Sequence, residues 1–111
     1  MRRITWVKGT LKDFQGFPKP VQRQVIAALR MAAGGEKAET AKPMKGLGPG
    51  IFEIAARLRD DAFRAAYAVQ IDEDIWVLHA FQKKSKTGIK TAKQDVDLIR
   101  ERVKRIKEQV Q

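Results

Sequence analysis

Apolar residues recur along this chain with two distinct periods. Val21, Val25, Leu29 and Ala32 return every three or four positions, which puts them on one stripe of an α-helix and leaves Gln22, Arg23 and Arg30 on the other side. Pro18 suits a first helical turn and Gly34-Gly35 ends the run, so the spacing predicts a helix over about 18–33 that lies on a core. A second helical stripe, Val96, Ile99, Val103, Ile106 and Val110, follows Thr91 and Gln94, which fit a capping box. Between them the period falls to two. Residues 51–58 (IFEIAARL), 63–71 (FRAAYAVQI) and 75–82 (IWVLHAFQ) read as strands, with turns at 59–62 and 72–74, and together predict an antiparallel meander. Residues 3–7 suit a short strand, and Leu11 and Phe14 stand at helical spacing before the Gly16-Phe17-Pro18 break. Residues 34–50, rich in Gly, Lys, Ala and Pro, read as a mobile basic loop.

The alternation also sorts side chains between faces. Phe52, Ile54, Ala56 and Leu58 share a face with Phe63, Ala65, Tyr67, Val69 and Ile71, the side for helices to cover; Glu53, Ala55, Arg57, Arg64, Ala66 and Ala68 share the other, which reads as open. A four-residue turn at 59–62 would set Leu58 opposite Phe63 and Arg57 opposite Arg64. Two arginines facing across a ladder repel unless an anion or Glu53 neutralises them, and the alanines beside them leave floor space for a ligand. The plainer alternative is a pair of solvated arginines bridged by Glu53. The third strand is apolar on both faces, so its register depends on the acidic turn: His79 falls opposite Tyr67 on the covered side or opposite Ala68 in the cleft, the first being preferred. It is either a core histidine or a proton-transfer group.

Charge narrows the partners. The chain of 111 residues carries 23 Lys and Arg against 13 Asp and Glu, a formal net charge of +10, which favours polyanions. With no cysteine and one histidine, neither a disulfide framework nor a zinc site is expected, and nothing suggests a cofactor. No stretch approaches a membrane span, and the last helix has no aromatic anchor, so a cytoplasmic protein is expected. The surplus is concentrated: residues 75–94 contain no acidic group, and 83–93 (KKSKTGIKTAK) hold five lysines. This run follows the last strand, which holds it at one edge of the sheet near Arg64.

Five features taken in order, namely Phe17-Pro18 with the helix ending at Gly34-Gly35, Lys42-Pro43-Met44-Lys45-Gly46, Phe52-Glu53-Ile54, Phe63-Arg64-Ala65-Ala66-Tyr67 and Leu78-His79-Ala80-Phe81-Gln82-Lys83-Lys84-Ser85-Lys86, resemble the phage-associated HigB-like branch of the RelE/ParE toxin superfamily over nearly the whole chain. That resemblance implies one α+β domain over 1–111, with an N-terminal helical pair packed on a small antiparallel sheet and a C-terminal amphipathic helix. It implies a toxin of a type II toxin-antitoxin system that cleaves mRNA on the translating ribosome as a metal-independent endoribonuclease. The implied partners are a cognate antitoxin, commonly a helix-turn-helix protein, together with ribosome and mRNA; DNA is met only through the antitoxin.

By the same resemblance Arg64 matches the arginine at the scissile phosphate, and Lys83 or Lys84 the basic group after the last strand. Glu53 and His79 stand as alternatives for the proton acceptor, and Lys45, Arg57, Lys86 and Lys90 as RNA contacts. Glu53 replaces a lysine of some RelE-like toxins, and no tyrosine follows the basic segment before the final helix. The competing expectations are a ParE-like, non-catalytic inhibitor of DNA gyrase and a basic nucleic-acid-binding adaptor, since one fold can host several activities.

Overall fold

The computed structural model describes residues 1–83 and 90–110. Its elements run β1 (Ile4–Trp6), α1 (Thr10–Gln15), α2 (Lys19–Ala33), β2 (Ala41–Pro43), β3 (Ile51–Leu58), β4 (Asp61–Ala68), β5 (Ile75–Lys83) and α3 (Lys93–Gln109). The strands form one sheet in the order β1-β5-β4-β3-β2. The expected meander is its centre, but the sheet is mixed rather than antiparallel throughout, because β1 pairs with β5 in parallel. Both α-helical stripes form. Pro18 and Pro20 stand in the opening turn of α2, where an amide would have no partner, and the Gly34 amide closes the helix onto the carbonyls of Arg30 and Met31.

Two expectations about turns are corrected. β4 begins at Asp61, so the β3–β4 loop is only Arg59-Asp60, with Arg59 in the left-handed region at φ 56°. Leu58 therefore faces Asp61, and Arg57 faces Ala62 rather than Arg64. The slip is two residues, so every side chain keeps its predicted face while its partner changes. β4 ends at Ala68, not at residue 71, and the connection to β5 is held by the N-terminus. The Arg2 guanidinium donates to the carbonyls of Val69, Glu73 and Asp74 at 2.6–3.0 Å, while Asp74 accepts from Thr5 Oγ1 at 2.7 Å. The segment read as a mobile loop is packed: Ala38, Ala41 and Leu47 are buried, and β2 forms the sheet edge.

The sheet carries helices on both faces. α1 and α2 cover the predicted side, burying Phe14, Phe17, Val21, Val25, Leu29, Ile54, Phe63 and Tyr67 in one core. α3 lies on the opposite side, where Ile99, Val103 and Ile106 meet Ile51, Ala66, Ala68 and Leu78. The face expected to be open is thus open only in part. A bulge in β5 between the partners of Ala66 and Tyr67 turns Leu78 toward α3. The carbonyl it frees accepts from Arg102 Nη1 at 2.7 Å and from Thr10 Oγ1 at 3.3 Å, which ties α3 and α1 to one point of β5. The capping box at Thr91 does not form: α3 starts at Lys93 with no side-chain cap, and Thr91 turns to the sheet.

Candidate functional site

The register stacks three rows of side chains across the face shared with α3. At the open end, Arg57 of β3, Ala62 of β4 and Lys83 of β5 stand in line; next come Ala55, Arg64 and Phe81; then Lys42 of β2, Glu53, Ala66 and His79. Adjacent strands lie roughly 5 Å apart, so Arg57 and Lys83 flank the small Ala62 at a span of roughly 10 Å. Ala55 and Arg57 are exposed and Phe81 and Lys83 half-buried, whereas Ala66 and His79 lie under α3. The result is a shallow basic floor with one wall, formed by the start of α3.

Arg64 is the most constrained group on that floor. Its Nη1 donates to the Phe63 carbonyl at 3.1 Å, and its Nε stands 3.6 Å from Glu53 Oε1, with both side chains about 15% exposed (14% and 16%). The other Glu53 oxygen accepts from the Thr91 hydroxyl. Glu53 thus links the arginine to the residue that enters α3. Partial burial, with the Arg64 charge adding to it, pushes the Lys83 ammonium below its usual value, and Glu53 opposes the shift. A lysine so placed gives up a proton more readily than a free one.

His79 occupies the cleft-side register, opposite Ala66, yet α3 covers it. Neither expected partner, Tyr67 or Ala68, stands opposite it: the β4–β5 connection is longer than the acidic turn and moves β5 by two, and the bulge at Leu78 moves the pairing back by one. The Nε2 atom of His79 meets Asp95 Oδ1 at 2.8 Å, its Nδ1 is buried without a hydrogen-bond partner among the described residues, and its ring stacks on Phe81 at 4.6 Å. The arrangement suits a packing role under the first turn of α3.

The structure brings Glu53, Arg64 and Lys83 together, with Arg57 in the row of Lys83, across Ala62. It does not bring Lys45 to them: that residue is exposed in the turn from β2 to β3, at the opposite end of β3 from Arg57. Lys90 is exposed next to Thr91. Lys84 and Lys86 lie outside the described residues.

Three neighbours of this cluster escaped the sequence reading. Asp95 had a usable sign, since it falls four residues before Ile99 on the apolar stripe, where a carboxylate implies a buried partner. Thr91 was assigned to a cap. Lys42 had no sign at all, because a three-residue edge strand has no readable period.

The fold is that of the E. coli RelE toxin. The isolated toxin superposes with a TM-score of 0.59 at 20% identity, covering 96% of this chain and 99% of that one. A doubly substituted RelE in the free state gives 0.62 at 21% identity, covering 95% and 97%. RelE in the intact RelBE toxin–antitoxin complex gives 0.59 at 17% identity, covering 77% and 100%. Residues 12–104 match the family described as phage-derived protein Gp49-like (DUF891), and the chain belongs to that family. No curated protein matches it.

Proposed function

We propose that this protein is the toxin of a type II toxin-antitoxin pair of the HigB-like kind and that it cuts mRNA on the ribosome. The observation that carries the reading is the cluster of Arg64, Lys83 and Glu53 at the uncovered end of one sheet face, with Arg64 3.6 Å from Glu53 and the lysine shifted toward easier proton release. The likeness to RelE supports it at the level of fold, and RelE's own complex with an antitoxin supports a protein partner, which we take to be a helix-turn-helix antitoxin.

RNA carries its own nucleophile. The 2′-hydroxyl of the nucleotide before the cut attacks the neighbouring phosphorus and gives its proton to Glu53. The charge that gathers on the phosphorane oxygens meets the Arg64 guanidinium, and the 5′-oxygen departs with a proton from Lys83. The products are a 2′,3′-cyclic phosphate and a 5′-hydroxyl. Arg57, Lys90 and the lysines that follow Lys83 guide the strand by contact with flanking phosphates. His79 acts through packing, since α3 separates it from any strand lying on the floor.

The test is a translation extract programmed with a defined mRNA, with 5′ ends mapped after the protein is added. New ends at codon positions are expected, together with unchanged DNA supercoiling by gyrase. An extract without new ends, combined with blocked supercoiling, replaces this reading by the non-catalytic ParE-like one.

A further inference from the structure

We infer that Glu53 gates the site: in the free protein its carboxylate stands at the Nε edge of the Arg64 guanidinium, where an RNA phosphate would bind, and Lys42 receives the carboxylate when the phosphate arrives. The inference rests on the proposed phosphate role of Arg64. Glu53 Oε1 stands 3.6 Å from Arg64 Nε, on an edge of the guanidinium that a phosphate oxygen would also use. Two anions cannot share that edge without repelling each other, so a phosphate that takes it has to move Glu53 or neutralise it.

The ladder supplies the place to go. Lys42 is the direct cross-strand partner of Glu53 on the same face. Side chains opposed in this way start from Cβ atoms roughly 5 Å apart, well within reach of a lysine. Lys42 is nonetheless exposed and makes no ion pair among the described residues, while Glu53 turns the other way, toward Arg64 and Thr91. One rotation of the Glu53 side chain therefore exchanges a partner on one neighbouring strand for a partner on the other, and the backbone need not move. A carboxylate stationed on the catalytic arginine also disfavours casual binding of anions. An incoming strand must bring enough phosphate contacts to offset the exchange.

The experiment is a binding titration by fluorescence anisotropy at low salt, using a short single-stranded RNA blocked from cleavage by 2′-O-methyl groups. Glu53→Gln keeps the shape and removes the charge, and is expected to bind about 2- to 5-fold more tightly, the range of a modest ion-pair competition. The gain should vanish in an Arg64→Ala background, as expected of two residues acting on one event. Lys42→Ala should weaken binding of the wild type about 2- to 3-fold and leave Glu53→Gln unaffected, because the lysine then has no carboxylate to receive.

Weaker or unchanged binding by Glu53→Gln overturns the gate. Equal losses from Lys42→Ala in both backgrounds make Lys42 a plain phosphate contact and overturn its receiving role. If Arg64→Ala binds as the wild type does, the phosphate site itself is wrong, and the gate falls with it. Cleavage separates the two roles of Glu53: tighter binding with slower cutting requires that the carboxylate, once received by Lys42, returns to the 2′-hydroxyl as proton acceptor, whereas tighter binding with undiminished cutting keeps the gate and removes the acceptor. Circular dichroism of each variant confirms that the comparison is between folded proteins.

Discussion

On the face beneath α1 and α2, Ile54, Ala56, Phe63, Ala65, Tyr67, Val77 and Ala80 are all buried in one continuous core, whereas the opposite face changes character halfway along its strands. Its covered half packs Ile51, Ala66 and Ala68 against α3, and its other half exposes Ala55 and Arg57 beside Arg64 and Lys83. The same three central strands thus serve two purposes. Continuous burial on one side makes the sheet rigid, and small side chains between the charged ones on the other keep those groups at a fixed spacing without filling the space above them. A site of this kind needs little stability of its own because the far face provides it.

The comparison predicts that stability and activity separate by face. Leu29 is fully buried on the α2 side, and Leu29→Ala should cost about 3–5 kcal/mol in urea unfolding, the usual range for a large-to-small change in a packed core. Arg64→Ala on the other face should move the urea midpoint less than that change does, yet lower the cleavage rate by about 10²- to 10³-fold, as loss of one preorganised charge-stabilising donor does. An Arg64 variant that keeps its activity, or unfolds as readily as the Leu29 variant, breaks the division.

Lys83 sharpens it through pH. The proposed acid for the leaving oxygen works only when protonated, so the rate should fall as pH rises through its lowered value, earlier than for an ordinary lysine. The linkage runs the opposite way for stability. The folded state holds this proton less tightly than the unfolded chain does, so stability should rise over the interval between the two values. Lys83→Arg keeps the charge and should abolish that alkaline limb, with a loss of roughly 10- to 100-fold in maximal rate.

Much of this division was legible in the chain. The period-two alternation put Glu53, Arg57 and Arg64 on one face, and the two-residue error in the β3–β4 turn could not disturb that, because a slip of two preserves the face. What it did disturb was partnership. Arg64 was expected to confront Arg57, and it instead lies opposite Ala55 with Glu53 on the diagonal. The register of His79 was unreadable because the bulge at Leu78 depends on Arg102 and Thr10, which are distant in sequence and converge on one carbonyl. The position of α3 was unreadable for a related reason: an amphipathic stripe says that a helix is covered, not which face of a sheet covers it. Asp95 carries that information, as a carboxylate on the stripe whose partner is His79.

A contact at the open end of the sheet also joins the two faces, and it offers the finest test of how independent they are. Gln24 projects from α2, on the core side, to the end of β3, where its amide nitrogen donates to the Arg57 carbonyl at 2.8 Å and its oxygen accepts the Arg57 amide at 3.1 Å. The side chain of the same Arg57 stands on the opposite face, in line with Lys83. The core helix therefore holds the backbone from which the proposed phosphate contact extends. Because the two bonds are exposed to solvent, water replaces them readily, and Gln24→Ala should cost only about 0.5–1 kcal/mol in urea unfolding. If the faces are mechanically separate, cleavage by this variant stays within about twofold of the wild type, a difference near the size of the stability change. A tenfold loss of cleavage with so small a loss of stability would mean that α2 sets the spacing of the basic floor, and the core face would then belong to the active site.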